Sequence, residues 1–292
     1  MVSIPGSRTD TKCVMSSLEQ IETGNFAVPN WVIFPSDSIR IVSWNINRGL
    51  RLGRVIEFLA SAKADVLLLQ EADQNARRTH HINVAKEIAQ KLRMNYAFGR
   101  EFQELTQGSR TSPAYHGQAT LSRWPLSNCR IVRFEEQTNF WRPHWFLPEV
   151  PPFQERIGGR LALVSEVSIA GRMVVTYNLH LESRGDDRLR CAQLGEVLGD
   201  AQHYRPTTPV LVAGDFNLDV SGGNAADALT RAQFQDTLAN HRAPTTPSSL
   251  VGPGRTIDWI FARGPIRARQ AAVYRSVSAS DHYPLSADLA FA

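Results

Sequence analysis

A short apolar run that ends in polar residues constrains this chain more than any other feature. The segment PVLVAGDFN, residues 209–217, closes on Gly214 and then presents Asp215 and Asn217. Such a run predicts a buried strand whose C-terminal end delivers polar side chains, as in reaction centres built on open sheets. Residues two apart on an extended chain point to the same side, so Asp215 and Asn217 are expected to converge on one small target.

Other predicted strands end in the same manner. The apolar patterns predict strands at 39–46, 66–69, 118–122, 128–134, 160–169, 172–179, 208–214, 256–262, 268–274 and 284–291, and helices at 52–62, 81–92 and 187–201. The polar endings are SWNIN (43–47), QE (70–71), NLH (178–180), TIDWI (256–260) and SDHYPL (280–285). None places a serine or cysteine in a nucleophile context such as GxSxG. We therefore expect metal-assisted hydrolysis.

Oxygen-bearing residues at these strand ends suit a hard divalent cation. We expect Glu71, Asp281 and the carbonyl of Asn45 to bind Mg²⁺ or Mn²⁺. Mg²⁺ keeps several waters and is commonly completed by substrate phosphate, so a few protein ligands are enough. The chain has three cysteines and no CxxC spacing, which argues against a cysteine-based zinc site and against a disulfide framework.

The remaining strand-end residues suit acid–base chemistry at phosphorus. Asp215 is predicted to accept a proton from the attacking water, while Asn217 holds that water or a phosphoryl oxygen. His282, kept protonated and oriented by Asp258, is predicted to stabilise charge on the phosphorus oxygens. His180 is predicted to make a second phosphate contact. Each residue alone has a simpler structural explanation, but their recurrence at successive strand ends favours one site.

The ordered motifs resemble those of the endonuclease/exonuclease/phosphatase superfamily, the DNase I-like metal-dependent phosphoesterases. The motifs are SWNIN, LLLQEAD, GQATLSRWPL, NLHLES, AGDFNLD, TIDWIF and SDHYPLSADL, and they span residues about 39 to 291. The resemblance implies an α/β (α+β) fold, a four-layer α-β-β-α sandwich of two mixed β-sheets with helices on the outer faces. It implies the same metal-binding and catalytic residues as those named above. His116 stands where the family's abasic-site nucleases carry a tyrosine, which argues against abasic-site repair.

Two segments lie outside these motifs. Residues 1–36 are polar and aperiodic, which predicts an N-terminal tail or strap before a catalytic domain at 37–292. Residues 134–154 are rich in aromatic residues and prolines and show neither helical nor strand period. Either this loop is a lid whose aromatics grip a base, an acyl chain or a ring, or it is self-packed and covers the core.

Composition narrows the substrate class only in part. The net charge of +4 is too small to identify a nucleic-acid binder, but almost all the positive charge is arginine, which suits phosphate. We expect a phosphodiesterase or nuclease-type activity on a phosphoester substrate, with nucleic acid as a plausible partner. The first alternative is a phospholipid or inositol-phosphate phosphoesterase whose 134–154 loop touches a lipid surface peripherally. The second is a catalytically silent binding module of the same fold.

The sequence shows neither a secretory signal nor an apolar stretch long enough to span a membrane. We therefore expect a cytoplasmic location. The sequence does not indicate an oligomeric state.

Overall fold

Two mixed β-sheets form the centre of the structure. The computed structural model describes residues 14–28, 37–144, 146–150, 153–250 and 252–292. Within these residues the first sheet has eight strands and the second has six, numbered here along the chain. The first sheet contains β1 (Ile21–Gly24), β2 (Ser38–Arg48), β3 (Val66–Gln74), β4 (Asn95–Glu104), β5 (Ala114–Ser122), β7 (Arg156–Gly158), β13 (Ile266–Val273) and β14 (Leu285–Phe291). The second contains β6 (Leu126–Arg133), β8 (Leu161–Ile169), β9 (Arg172–His180), β10 (Val210–Asp215), β11 (Gln235–Asp236) and β12 (Asp258–Arg263).

The strand order places one parallel pair inside each sheet. The orders are β1-β4-β5-β3-β2-β14-β13, with β7 beside β4, and β11-β12-β10-β9-β8-β6. The parallel pairs are β2 with β3 and β9 with β10. A helix connects each pair: α1 (Leu52–Ala62) follows β2, and α3 (Asp187–Ala201) follows β9. Because parallel strands end at the same edge, each pair delivers two C-terminal ends side by side.

Helices cover both outer faces of the paired sheets. Apolar residues of α1 and of α2 (Val84–Leu92) pack on the first sheet, and those of α3 and of α4 (Gly223–Arg231) pack on the second. Between the sheets a third core joins residues such as Ile41 and Leu68 to Leu211 and Ile260. These layers confirm the expected four-layer sandwich.

Local chemistry explains where the helices begin and end. The α1 sequence spaces its apolar residues at helical intervals, buries Val55 and Leu59, and ends at Lys63 in a left-handed conformation. The second helix begins at Val84, three residues later than expected, because Asn83 caps it by accepting from the backbone N–H of Lys86 at 3.0 Å.

Some elements were not predicted from the sequence. They include β1, β4, β7, β11 and α4, and β5 begins at Ala114 instead of residue 118. The alternation of β4 is broken by Gly99 and Arg100, and its pairing with β5 shifts register between Arg100 and Phe102. Buried polar residues on β5, His116 among them, hide its strand pattern.

Part of the predicted N-terminal strap lies on the first sheet. Strand β1 pairs antiparallel with β4, and Glu22 accepts a hydrogen bond from Asn83 Nδ2 at 2.7 Å. Residues 1–13 and 29–36 of the predicted tail lie outside the described residues, and the domain boundary at 37 stays a prediction. In the described part of the chain, no helix combines the length and apolar character that crossing a bilayer requires.

Candidate active site

One carboxylate oxygen lies at the meeting point of several strand ends. Asp215 Oδ2, at the end of β10, accepts from Asn45 Nδ2 at 3.1 Å. The same oxygen is 3.5 Å from His180 Nε2, at the end of β9, and 3.7 Å from His282 Nε2, just before β14. Side chains from both sheets therefore surround Asp215, which is 2% exposed.

The backbone around Asp215 holds its carboxylate in place. Gly214 has φ +143°, and a Cβ there would lie 1.9 Å from the Leu179 carbonyl oxygen, so no side chain fits. The extended geometry expected for residues 215–217 is wrong, because β10 ends at Asp215 and Asn217 has φ 49°. Asn217 approaches the carboxylate differently: its backbone N–H donates to Asp215 Oδ1 at 2.9 Å, and its Nδ2 donates to the Leu181 carbonyl at 3.1 Å.

His282 and Asp258 form a buried pair beside Asp215. His282 Nδ1 is 2.9 Å from Asp258 Oδ2, and that oxygen also accepts from Thr245 Oγ1 at 2.6 Å. Burial opposes the charged imidazole, but the carboxylates of Asp258 and Asp215 outweigh it and raise the pKa of His282 to about 10. With Nδ1 directed to Asp258, Nε2 faces Asp215. Thr245 was not predicted, because nothing in its own segment indicates a contact with Asp258.

Oxygen donors lie on the other side of the site, near the ends of β2 and β3. Glu71 lies where the pairing of β3 with β5 shifts register, and its φ is 55°. Burial opposes its ionisation, but the charges of His116 and His180 together with nearby arginines hold the pKa of Glu71 well below its usual range. Ser280 Oγ donates to the Asn45 backbone carbonyl at 2.7 Å, and it also lies 3.1 Å from Asp281 Oδ1. Ser280 therefore links Asn45 to Asp281, and the pairing of Asn45 with Gln70 places Glu71 one residue further along β3.

These donors fit a hard divalent cation better than the neighbouring cluster does. Single ligand atoms of Asp215, Asp258 and His282 lie within 4.8 Å of one another. The raised pKa of His282 favours an imidazolium, which has no lone pair to offer a cation. An ionised Glu71, together with the Asn45 amide and the Asp281 carboxylate, would supply the oxygen ligands that Mg²⁺ prefers.

A buried ion pair anchors His180. Arg160 Nη1 lies 2.9 Å from His180 Nδ1 and 3.0 Å from Glu101 Oε1. Burial disfavours the Glu101 carboxylate, but Arg160 and His180 outweigh it and lower the pKa of Glu101 to about 2. Arg160 also donates to Ser183 Oγ at 2.8 Å. Neither Glu101 nor Arg160 was predicted as a site residue.

The sequence matches the Endonuclease/Exonuclease/phosphatase family over residues 42–282. This chain belongs to the endonuclease/exonuclease/phosphatase family. The family is one of phosphoesterases and nucleases, typically hydrolytic on phosphodiester bonds and generally dependent on a divalent metal. No curated protein was found to match the chain.

Solved structures of the family share the fold. An endonuclease/exonuclease/phosphatase from Beutenbergia cavernae is 19% identical, with a TM-score of 0.62, and the match covers 88% of this chain and 72% of that one. TDP2 from Caenorhabditis elegans is 20% identical, with a TM-score of 0.60 and coverage of 87% and 74%. The human Nocturnin catalytic domain, solved with bound sulfate, is 20% identical, with a TM-score of 0.63 and coverage of 94% and 98%.

The inner polar residues of this family member also hold the two sheets together. Asn178 Nδ2, on β9, donates to the carbonyls of Leu69 at 3.1 Å and Ala119 at 2.9 Å, both in the other sheet. Gln70 Nε2 donates to Asn178 Oδ1 at 2.7 Å. These buried bonds fix the relative position of the β3 and β9 ends, and hence of the residues that follow them.

The aromatic loop at 134–154 is partly packed and partly exposed, and its role as a lid stays a prediction. Trp141 is buried, and its Nε1 donates to Glu182 Oε2 at 3.0 Å, two residues beyond His180. Phe140, Phe146 and Phe153 are exposed at 44%, 65% and 55%. Part of the loop therefore packs on the wall of the site, while other aromatics face solvent. Trp145 lies outside the described residues.

Proposed function

We propose that this protein is a divalent-metal-dependent phosphodiesterase that acts on nucleic acid. One observation carries the proposal: side-chain nitrogens of Asn45, His180 and His282 all lie within 3.7 Å of Asp215 Oδ2. A carboxylate surrounded by three side-chain donors suits proton transfer next to a bound phosphate. A binding module has no need of this arrangement. The catalytic domain would span 37–292.

Asp215 acts as the base in this mechanism. Its carboxylate accepts the proton that the attacking water loses as its oxygen bonds to phosphorus. The backbone N–H of Asn217 holds Oδ1, which leaves Oδ2 directed toward the site. The remaining amide hydrogen of Asn217 is available to orient the water or a phosphoryl oxygen.

His282 stabilises the charge that grows on the phosphorus oxygens. Its pKa of about 10 keeps the imidazole protonated at neutral pH, and Asp258 holds Nδ1, so Nε2–H is the donor toward substrate. His180 donates to a second phosphate oxygen, with its ring position set by Arg160 and Glu101.

Glu71 and Asn45, with Asp281 at the rim, would hold the cation, which is Mg²⁺ or Mn²⁺. When bound, such a cation supplies Lewis-acid polarisation of the phosphoryl group. Glu71 suits this role because surrounding positive charge keeps its carboxylate ionised.

A phospholipid or inositol phosphate is the second candidate substrate class. It is favoured by the exposure of Phe146 and Val150 at 65% and 48%, which would suit contact with a lipid surface. Against it, the arginine-rich composition of the chain suits contact with repeated phosphates. The bound sulfate in the Nocturnin domain, a tetrahedral anion on the same fold, is compatible with either class.

An activity screen tests the proposal. Wild type and Asp215→Asn are incubated with Mg²⁺ and single-stranded DNA, duplex DNA, RNA, phospholipids or inositol phosphates. We expect hydrolysis of a nucleic acid that stops on chelation and is lost in Asp215→Asn. Release of a lipid headgroup or of inositol would favour the second candidate, and equal rates for both proteins would remove Asp215 from the mechanism.

A further inference from the structure

The aromatic loop is fixed at two points to the wall of the candidate active site. Thr138 Oγ1 donates to Glu182 Oε2 at 3.1 Å, and Trp141 Nε1 donates to the same oxygen at 3.0 Å. Gln137 Nε2 donates to the Arg160 carbonyl at 2.8 Å. Because Glu182 and Arg160 are themselves buried, the segment 137–141 is held as part of the site wall.

Phe140 is the residue that this anchored segment leaves in solvent. It is 44% exposed, whereas its neighbour Trp141 is 6% exposed. The two rings meet edge to face, with centroids 4.7 Å apart and planes at 87°. Trp141 therefore supports the Phe140 ring without covering both of its faces.

Arg184 packs against the exposed Phe140 ring. Its guanidinium carbon lies 3.8 Å from the centroid of the Phe140 ring, a close cation–π contact. In the part of the chain that the structure describes, no carboxylate forms an ion pair with Arg184. The residue follows His180 by four positions, so its Cα lies within about 14 Å of that of His180, by the reach of an extended chain.

An exposed aromatic ring beside an unpaired guanidinium suits one ligand chemistry in particular. Nucleic-acid bases stack on aromatic rings and on guanidinium planes, and the guanidinium also attracts phosphate. A base can offer its face only where it is unpaired and unstacked. Lipid chains have no planar face to match this geometry.

We propose that Phe140 and Arg184 form a stacking platform for an unpaired base near the scissile phosphate, so that the enzyme prefers single-stranded nucleic acid. This proposal rests on the proposed phosphodiesterase function, which it narrows to a substrate class. Arg184 adds attraction for the backbone phosphate next to the stacked base.

Steady-state hydrolysis of a short oligodeoxynucleotide, single-stranded or annealed to its complement, tests the platform. We expect wild type to prefer the single strand, and Phe140→Ala to raise KM for it about tenfold or more. Phe140→Trp keeps a stacking surface and is expected to retain the wild-type KM. Phe153→Ala removes another exposed aromatic of the same loop and is the matched control, with KM expected to be unchanged. Arg184→Gln should lower the slope of log KM against log salt by about one.

The outcomes separate the two proposals. If wild type cleaves no phosphodiester, the proposed function itself fails. If wild type cleaves but Phe140→Ala keeps the wild-type KM, or raises KM equally on both substrates, only the platform is wrong. The platform is also wrong if Phe140→Ala leaves KM unchanged but reduces sedimentation with phosphatidylserine vesicles, because the ring would then contact lipid.

Discussion

The two parallel strand pairs contribute to the site in different ways. At the ends of β9 and β10, His180 and Asp215 are 1% and 2% exposed and are held by hydrogen bonds and an ion-pair network. Near the ends of β2 and β3 the pairing is irregular: one register shift follows Asn45, and another spans Glu71. Glu71 and Asn47 both have positive φ there.

This difference matches the two kinds of chemistry that the site needs. Proton transfer requires a base within hydrogen-bond reach of the water, so its side chain must be positioned before substrate binds. A hard cation that keeps several waters needs oxygen atoms aimed outward, and a β-bulge re-aims side chains at the end of a strand. We therefore expect substitutions in the first pair to affect turnover and substitutions in the second to affect the metal requirement.

The largest effect is expected for Asp215→Asn, which keeps the shape of the residue but removes the base. We expect kcat at saturating Mg²⁺ to fall by about 10²–10⁴-fold. Steady-state kinetics at saturating Mg²⁺ measure this loss. Asp219→Asn, an exposed acid four residues away, is the control and should behave as wild type. A normal kcat in Asp215→Asn would contradict the role of Asp215 as the base.

His282→Ala should produce the next largest loss. We expect kcat to fall about 10²–10³-fold while KM changes little, because the imidazolium contact strengthens in the transition state. The kcat and KM of the variant measure this split when they are compared with those of His241→Ala, a change of an exposed histidine that follows β11 in sequence. A rise in KM with normal kcat would make His282 a ground-state contact only.

Glu71→Gln tests the metal-binding half of the comparison. Loss of one charged ligand should raise the Mg²⁺ concentration for half-maximal rate by about tenfold or more. Isothermal titration calorimetry with Mg²⁺ alone compares the Mg²⁺ affinities of wild type and Glu71→Gln without turnover. Glu57→Gln, an exposed acid on α1, is the matched control. An unchanged Mg²⁺ requirement would remove Glu71 from the set of metal-binding residues.

The smallest effect is expected in the pH dependence of stability. Because the pKa of Glu101 falls from 4.5 to about 2 on folding, its ionisation stabilises the native state above pH 4.5. That contribution should be lost as the pH falls from 4.5 toward 2. Urea unfolding at several pH values should show Glu101→Gln to be less stable than wild type at pH 7, with the gap closing in acid. A stability difference between the two proteins that widens in acid would show that folding does not lower the pKa of Glu101.

The sequence predicts only those site residues that lie next to a recognisable strand pattern. Asp215 is visible because an apolar strand ends beside it. Arg160 is not, because it precedes β8 and comes near His180 only through the pairing of Leu161 with His180. Glu101 is hidden in a strand whose alternation is broken. The loop at 134–154 shows its lack of period in sequence, but whether Trp141 or Phe140 is buried depends on Glu182.

The central claim is that side chains from both sheets act on one phosphate as a single centre. Turnover of wild type, Glu71→Gln, Asp215→Asn and the combined variant, at one Mg²⁺ concentration where both single changes slow the reaction, tests this claim most directly. Residues that act as a unit are not additive, so the combined variant should be within about tenfold of Asp215→Asn alone. A loss equal to the product of the two single losses would mean that the two halves act independently.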